Sequence, residues 1–235
     1  MVKNKKMLLI LSCLFVIFEL LLGVVRETRE IEHFNEFSFF IIVFACLFCV
    51  LFVDKTKEYL LTQAALLLTV AADYYLVLIE PRQQVPAMIF FSGTQICYFL
   101  RVFLGDENKK RRRSHLIVRT VLSAVAIAVP FIVLGENADL LSVISVFYYA
   151  NLLTNIIFSF AQFKKLPLLA IGLVLFLCCD TLIGLDIMFD SYVRIRSRTL
   201  LDILMHPGFD LAWACYIPSQ ALLSISLLPE RFKRK

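Results

Sequence analysis

Two aspartates stand inside apolar runs that are each long enough to cross a membrane. Asp73 follows two alanines and Asp180 follows two cysteines, so two small residues precede each acid. A charged side chain at the centre of a bilayer costs about 2.5–3.5 kcal/mol on insertion scales, so such residues usually face a bundle interior and mark a functional site. We predict that the two carboxyls face each other. The alternative is that each makes an interhelical hydrogen bond that only holds helices together.

The chain that must position these acids is more apolar than a soluble domain. Of its 235 residues, 60% are hydrophobic, and the mean hydropathy is +0.81. Runs of about 17 apolar residues or more can cross the hydrocarbon as helices. We predict an all-α fold, a polytopic transmembrane bundle of eight helices that forms a single integral membrane domain over residues 1–235. The predicted spans lie near 7–25, 37–53, 60–79, 86–104, 116–134, 140–163, 166–189 and 209–228.

The distribution of Lys and Arg predicts the orientation of this bundle. Loops on one side carry 16 of these residues, including the run from Lys109 to Arg113, and the opposite loops carry six. Cytoplasmic loops carry the excess in membrane proteins, so we predict a multi-pass protein of the cell membrane with both termini cytoplasmic. The basic run is explained as a topology signal, and no nucleic acid partner is predicted.

The cysteines indicate neither a disulfide framework nor a metal site. All seven lie within predicted spans, away from the external loops where disulfides form. Cys46 and Cys49 have a C-x-x-C spacing, but no histidine or further cysteine stands at ligand spacing. We therefore predict no metal.

Further polar side chains fall at a similar depth in the outer half of the predicted membrane. At 1.5 Å per residue the two aspartates lie roughly 10–14 Å below the outer boundary, and four other helices carry polar residues at comparable depth, Glu19 among them. Buried amides often only hold transmembrane helices together, which is the alternative to substrate binding for this layer. The candidate substrate-binding residues are Gln95, Tyr98, Tyr148, Asn151, Tyr216 and Gln220.

The two acids occupy equivalent places if the spans are divided into two sets of four. Asp73 falls on the third helix of the first set and Asp180 on the third helix of the second, and Gln95 and Gln220 fall on the two fourth helices. Four spans restore the original orientation, so such repeats would be parallel and related by an axis along the membrane normal. Two parallel four-helix repeats would bring the aspartates together at that axis.

Three short motifs carry a resemblance to a known family. They are Ala72-Asp73-x-x-Leu76, Gly172-x-x-x-Phe176-x-x-x-Asp180 and Trp213-x-x-Tyr216-x-x-x-Gln220. On these motifs the chain resembles, over nearly its whole length, the YhhN family of eight-span membrane proteins, which includes the lysoplasmalogenases. It departs from the family pattern at three positions. Ala72 stands where the family usually has Gly, Cys179 where it usually has Ser, and Gln95 where a His precedes a Tyr.

The resemblance implies hydrolysis of the vinyl ether bond of a lysoplasmalogen, which releases a fatty aldehyde and a glycerophospho-alcohol. It implies Asp73 and Asp180 as catalytic residues and a lysophospholipid or other membrane lipid as the partner. One carboxyl, kept neutral by burial, would protonate the vinyl carbon, and the other would activate the attacking water, as paired acids do in glycosidases. This chemistry needs no metal and no organic cofactor. Gln95 replaces the family's candidate proton shuttle.

Two other classes of function remain open at this point. A proton-coupled transporter of small molecules or lipids would also carry intramembrane acids and repeats, although it favours helices broken by mid-span Gly or Pro, which are scarce here. A non-catalytic lipid-binding membrane protein would tolerate the departures from the family motifs. The sequence contains no indication of the oligomeric state.

The catalytic reading makes a geometric prediction. The two carboxyls should lie no more than about 10 Å apart, in an amphipathic cavity whose polar mouth faces outward. The external loop at 190–207 alternates basic and apolar residues, which predicts an interfacial helix. Charge-assisted hydrogen bonds near the mouth would hold a phosphate, and the candidate donors are Arg82, Arg194, Arg196 and Arg198.

Overall fold

The structure, a computed structural model, describes residues 5–52, 56–192 and 209–229. These residues form eight α-helices and no strand, which confirms the predicted all-α fold. The helices are α1 (Lys5–Thr28), α2 (Phe34–Phe48), α3 (Lys57–Asp73), α4 (Gln84–Leu104), α5 (Lys109–Leu134), α6 (Leu140–Phe160), α7 (Pro167–Tyr192) and α8 (Leu211–Ser224).

Length and composition of these helices show a multi-pass membrane protein. Six of the described helices are long and apolar enough to cross a membrane. The other two, α2 and α8, have 15 and 14 residues, and a short 3₁₀ turn extends α2 through Phe52. Large apolar side chains are exposed along α1 and α5, which fits helices that face lipid rather than water.

Helix starts follow local capping chemistry. Asp139 caps α6 in a reciprocal pair of bonds with Ser142, and the carboxylate of Asp210 accepts a hydrogen bond from the Trp213 backbone at the start of α8. The Asn108 side chain caps α5, which begins at Lys109. Helix α5 therefore begins before the predicted span at 116–134, because the basic run forms its first turn instead of a loop.

Five helices form a closed ring that holds the candidate site. Around the ring, α3 packs on α4, α4 on α6, α6 on α7, α7 on α8, and α8 returns to α3. The close approach of α7 and α8 depends on Gly172, where an added Cβ would lie 3.0 Å from the Leu223 side chain. Helices α1 and α2 pack outside the ring against α8, and α5 packs outside it against α6.

Some packing relations recur after a shift of four helices. The pair α3 and α4 corresponds to α7 and α8, and the contact of α4 with α6 corresponds to the contact of α8 with α2. Such recurrence agrees with two parallel four-helix repeats. It places the third helix of each set in the ring, one on either side of α8.

The end of the bundle that carries the α4–α5 turn is closed by charged and polar contacts. Arg111 Nε and Nη2 donate to the two carboxylate oxygens of Asp106 at 2.5 and 2.6 Å, and Arg111 Nη1 reaches the Ala161 carbonyl at 3.1 Å. Burial opposes ionisation of Asp106, but the hydrogen bonds from Arg111 and from the Asn108 backbone outweigh it and hold the pKa of Asp106 below its usual value. The α4–α5 turn is thereby fixed against the end of α6.

The opposite end is organised by the Arg26 cluster, which consists of Arg26, Glu27, Phe34, Ser38, Asp210 and Trp213. The Arg26 guanidinium lies over the Phe34 ring at 4.4 Å and over the Trp213 ring at 4.2 Å. It donates to Ser38 Oγ at 2.9 Å and Asp210 Oδ2 at 3.3 Å, and also pairs with Glu27. Three helices, α1, α2 and α8, therefore meet on one buried cation.

The predicted external loop at 190–207 is only partly described. Helix α7 continues through Tyr192, so the first three residues of the predicted loop, 190–192, are helical and belong to α7. The predicted interfacial helix and the candidate phosphate ligands Arg194, Arg196 and Arg198 lie outside the described residues. Arg82 is described and exposed, at the turn between α3 and α4.

Candidate active site

The backbone around Asp73 departs from an α-helix. Helix α3 ends at Asp73, and a π-helical turn, Tyr74–Leu78, follows directly. Its wider hydrogen bond runs from the Ile79 amide to the Tyr74 carbonyl at 3.2 Å. Single π-turns inside helices occur frequently at functional sites. This turn re-aims the residues after Asp73 while the carboxyl itself stays in the ring.

Asp73 is 4% exposed and is held by helix α8. The hydroxyl of Tyr216, on the inner face of α8, donates a hydrogen bond to Asp73 Oδ2. Ala72, its chain neighbour, is fully buried. The predicted catalytic residue and one predicted binding residue are thus in direct contact.

Asp180 forms the corresponding pair on the other side of the ring. The Tyr148 hydroxyl on α6 donates to Asp180 Oδ2 on α7. Asp180 is half-buried, whereas Tyr148 is buried. On the lipid side of the same two helices, the neighbouring residues Tyr149 and Thr181 share a hydrogen bond of 2.8 Å.

The two pairs belong to one site, named here the acid centre: Asp73, Asp180, Tyr148, Tyr216, Phe91 and Phe176. Asp73 lies within electrostatic range of Asp180, and Tyr216 lies within range of both acids. The rings of Phe91 and Phe176 join the tyrosines in a continuous chain with centroids 5.6–5.8 Å apart. The aromatic rings therefore connect the two Asp–Tyr pairs, and all six side chains come from the helices of the ring.

Two more predicted residues, Gln95 and Asn151, lie near this centre, and Asn155 of α6 contacts Gln95. Asn155 Nδ2 donates to the Gln95 carbonyl and to Gln95 Oε1, at 2.8 and 3.0 Å. The Gln95 side chain lies beside the Tyr148 hydroxyl, although Nε2 has no partner within hydrogen-bond geometry among the described residues. Asn151 Nδ2 donates to the Phe147 carbonyl of its own helix at 2.7 Å. Asn155 thus makes the interhelical bonds that are the alternative to substrate binding, and Asn151 Nδ2 also reaches Ser123 Oγ of α5 at 3.5 Å.

Tyr98 and Gln220 differ in their surroundings. Tyr98 is fully buried and lies within electrostatic range of Arg101, Cys49 and Cys46, and no contact among those that the structure describes joins it to the acids. Gln220 is buried one helical turn from Tyr216 on the same face of α8. Neither amide atom of Gln220 has a hydrogen-bond partner within the described part of the chain.

Two polar side chains of α5, the partly buried Arg119 and the buried His115, were not identified from the sequence. Arg119 lies over the Phe99 ring at 4.1 Å and donates to Asn155 Oδ1 at 3.1 Å. His115 stacks on Phe158 with centroids 4.0 Å apart. The sequence contains a signal for Arg119, because this charge interrupts the apolar run of α5 and lies within the predicted span instead of a loop. Within the described ranges, no group of three His, Cys, Asp or Glu side chains could hold a metal ion.

A groove of ≈ 360 Å³ runs between α1 and α8, near the Arg26 cluster. Trp213 lines the groove and packs edge-on against Tyr216, with centroids 5.5 Å apart, so one aromatic pair separates the groove from Asp73. Its other lining residues are mainly apolar and include Leu20, Gly23, Val24, Phe209, Ile217 and Pro218.

The site residues also lie inside a family match. A sequence model of the YhhN family matches residues 36–227. The chain belongs to the YhhN family. This range contains the whole five-helix ring and both aspartates, and it begins after α1. Neither a search of curated proteins nor a search of solved structures found a match.

Proposed function

We propose that this YhhN protein is a membrane-embedded hydrolase that cleaves the vinyl ether bond of a lysolipid, with Asp73 and Asp180 as its catalytic residues. The observation that supports the proposal is the convergence of two Asp–Tyr pairs, from α3, α6, α7 and α8, on one buried centre. Acid-catalysed addition of water can use one carboxyl as the proton donor and a second as the base, as in glycosidases.

The two carboxyls have different surroundings, which suits them to different roles. A neutral carboxylic acid costs less to bury than a carboxylate, so the deeply buried Asp73 is the proton donor. The half-buried Asp180 is the proton acceptor for the attacking water. Each tyrosine hydroxyl engages Oδ2 of its partner, and we assign proton transfer to the two Oδ1 atoms. Tyr148 and Tyr216 are positioning residues in this scheme.

The reaction balances with one water molecule. Asp73 gives its proton to the vinyl carbon farther from the ether oxygen, which leaves an oxocarbenium ion. Water attacks the carbon bonded to that oxygen and gives a proton to Asp180, forming a hemiacetal. The hemiacetal then breaks its bond to the glycerol oxygen, which takes the proton from Asp180. The hemiacetal hydroxyl proton is released as the aldehyde forms, and Asp73 is reprotonated.

Amide variants of the two acids test the proposal, because an amide keeps the shape and hydrogen bonding of the side chain but cannot transfer a proton near neutral pH. The purified protein should release aldehyde from a lysolipid with a vinyl ether chain and none from the matched saturated-ether lysolipid. We expect Asp73→Asn and Asp180→Asn to lower the rate by about 10²–10⁴-fold while the melting temperature stays close to that of the parent protein.

Two outcomes would contradict the hydrolase. Wild-type protein that binds the vinyl ether lysolipid without releasing aldehyde would be a lipid-binding protein. Loss of folded protein in both amide variants, with no separate loss of rate, would assign the aspartates to helix packing.

We further propose that all eight helices cross the membrane and that both termini are cytoplasmic. Support comes from the excess of Lys and Arg at the end that carries the α4–α5 turn. A reporter fused after Lys235 should be active only on the cytoplasmic side. A reporter that is active outside would remove the assigned orientation and the even number of spans.

A further inference from the structure

A third acid lies buried in the bundle and has no part in the proposed reaction. Glu19 on α1 is 0% exposed, and neither of its carboxylate oxygens has a hydrogen-bond partner in the described part of the molecule. The side-chain amide of Gln220 on α8 likewise has no hydrogen-bond partner for either its nitrogen or its oxygen among the described residues. Buried polar groups nearly always have partners, so two such groups need an explanation. Glu19 precedes the residues that the family model matches.

Helix register places these two side chains at one level. Arg26 of α1 contacts Asp210, just before α8, whereas an added Cβ on Gly23 would lie 3.0 Å from Ile217 Cδ1. The two helices are therefore antiparallel. Glu19 lies four residues, or about 6 Å, before Gly23 in α1, and the same step after Ile217 in α8 ends at Ala221, the chain neighbour of Gln220. Glu19 also shares the α8-facing side of α1 with Gly23.

The same register connects Gln220 with the acid centre. Gln220 and Tyr216 are four residues apart and share a face of α8, and the Tyr216 hydroxyl donates to Asp73. Gln220 therefore lies level with Glu19 and about one helical turn from the Tyr216–Asp73 pair. The order along this path is Glu19, Gln220, Tyr216 and Asp73.

Small side chains surround the path. Phe15 of α1 stacks on Phe48 of α2, and Arg26 donates to Ser38, so these helices are antiparallel and Glu19 lies level with Ala45. Ala45, Ala72 and Ala221 are all buried on the helices that adjoin the path. Small side chains beside unpartnered polar atoms are the conditions under which a buried water is stable.

We propose that Glu19 and Gln220 form a buried, hydrated proton site that exchanges a proton with Asp73 through Tyr216. Water bound by Glu19 and Gln220 takes the carboxyl proton of Glu19 and passes one proton to the Tyr216 oxygen. Tyr216 in turn passes its own hydroxyl proton to Oδ2 of the Asp73 carboxylate, and a half-turn of the carboxyl group about its Cβ–Cγ bond brings that proton to the Oδ1 position that faces the substrate. Glu19 becomes a carboxylate, and the proton released by hemiacetal collapse restores it.

The role in reprotonating Asp73 rests on the proposed hydrolase function, whereas the proton site itself does not. Infrared spectroscopy of the purified protein in lipid measures the site without any substrate. We expect a protonated-carboxyl band that disappears in Glu19→Gln and remains in Glu36→Gln, which neutralises an exposed acid. In the wild-type protein this band should shift when H₂O is replaced by D₂O, because water reaches the carboxyl.

Variants of Gln220 test the connection. Gln220→Leu, or Gln220→Met if the first does not fold, should slow the D₂O shift of the Glu19 band at least tenfold. A Glu19 band that does not shift in D₂O, or shifts equally fast in the Gln220 variants, would overturn the proposal. So would the absence of any band that depends on Glu19.

Turnover gives a separate result. Glu19→Gln should lower kcat about tenfold, leave KM unchanged and alter the pH profile, and Glu19→Asp should restore part of the rate. Unchanged kcat in Glu19→Gln would overturn the relay to Asp73. If no hydrolysis occurs in the wild-type protein but the Glu19 band exchanges as expected, the hydrolase proposal fails and the proton site stands.

Discussion

The Arg26 cluster and the acid centre are two ways of burying charged groups in the same bundle, one helical turn apart along α8. Arg26 has Ser38, Glu27 and Asp210 as hydrogen-bond partners and an aromatic ring near each face. Each aspartate of the acid centre has one tyrosine hydroxyl. The cation is thus surrounded by partners, whereas each carboxyl can still form further hydrogen bonds.

This difference separates structural from chemical roles. A buried charge with a full set of partners is fixed, because any movement or loss of charge leaves several groups unpaired. A carboxyl with one neutral partner tolerates both protonation states, since the tyrosine hydroxyl can donate to either form. We therefore expect substitutions in the Arg26 cluster to change stability and substitutions in the acid centre to change the rate.

The largest effect on stability should come from Arg26→Ala. The change removes the hydrogen bonds from the guanidinium to Ser38, Glu27 and Asp210 and two cation–π contacts. This loss should cost roughly 2–4 kcal/mol of unfolding free energy. Denaturant titration in mild detergent measures the loss. Arg29→Ala, an exposed arginine three residues along, serves as the matched control and should stay within about 0.5 kcal/mol. Equal effects of the two changes would remove the distinction between the two regions.

Helix α6 provides a matched pair of tyrosines for the acid centre. Tyr148→Phe removes the only hydrogen bond found for Asp180 among the described residues, whereas Tyr149→Phe removes the bond to Thr181 on the lipid side. A hydrogen bond to an ionised group contributes about 1.5–3 kcal/mol, so Tyr148→Phe should lower the hydrolysis rate by roughly 10–100-fold. Tyr149→Phe should change it less than about twofold. A similar loss in both variants would indicate a packing effect.

The sequence predicted the fold well because its signal is long apolar runs. In the described part of the chain, eight helices overlap the eight predicted spans, with ends that differ by a few residues. The clearest difference is at α5, where the basic run looked like a loop and is instead a capped first helical turn. Composition identifies which residues avoid the hydrocarbon, but it does not show whether they are helical.

The acid centre was only partly predictable. A lone carboxylate in an apolar run is conspicuous, so Asp73 and Asp180 could be selected, and the spacing of Tyr216 and Gln220 placed both on one face. The tyrosine partners depend on which helices are neighbours. Periodicity contains no information on that, and α6 and α8 were not assigned to particular acids. The Arg26 cluster was missed because an arginine at a span end looks like an ordinary loop charge.

The proton transfer from Asp73 to carbon is the central claim, and hydrolysis in D₂O tests it most directly. The proposed mechanism forms a new carbon–hydrogen bond from an exchangeable carboxyl proton, so the aldehyde collected at early times should carry one deuterium on the carbon next to its carbonyl group. Asp73→Asn should form almost none of this product. In the proposed mechanism the carboxyl delivers deuterium to one face of the double bond, so the deuterated carbon should have a single configuration. Equal amounts of both configurations would contradict the mechanism, because an enol would then have left the site and been protonated in solution.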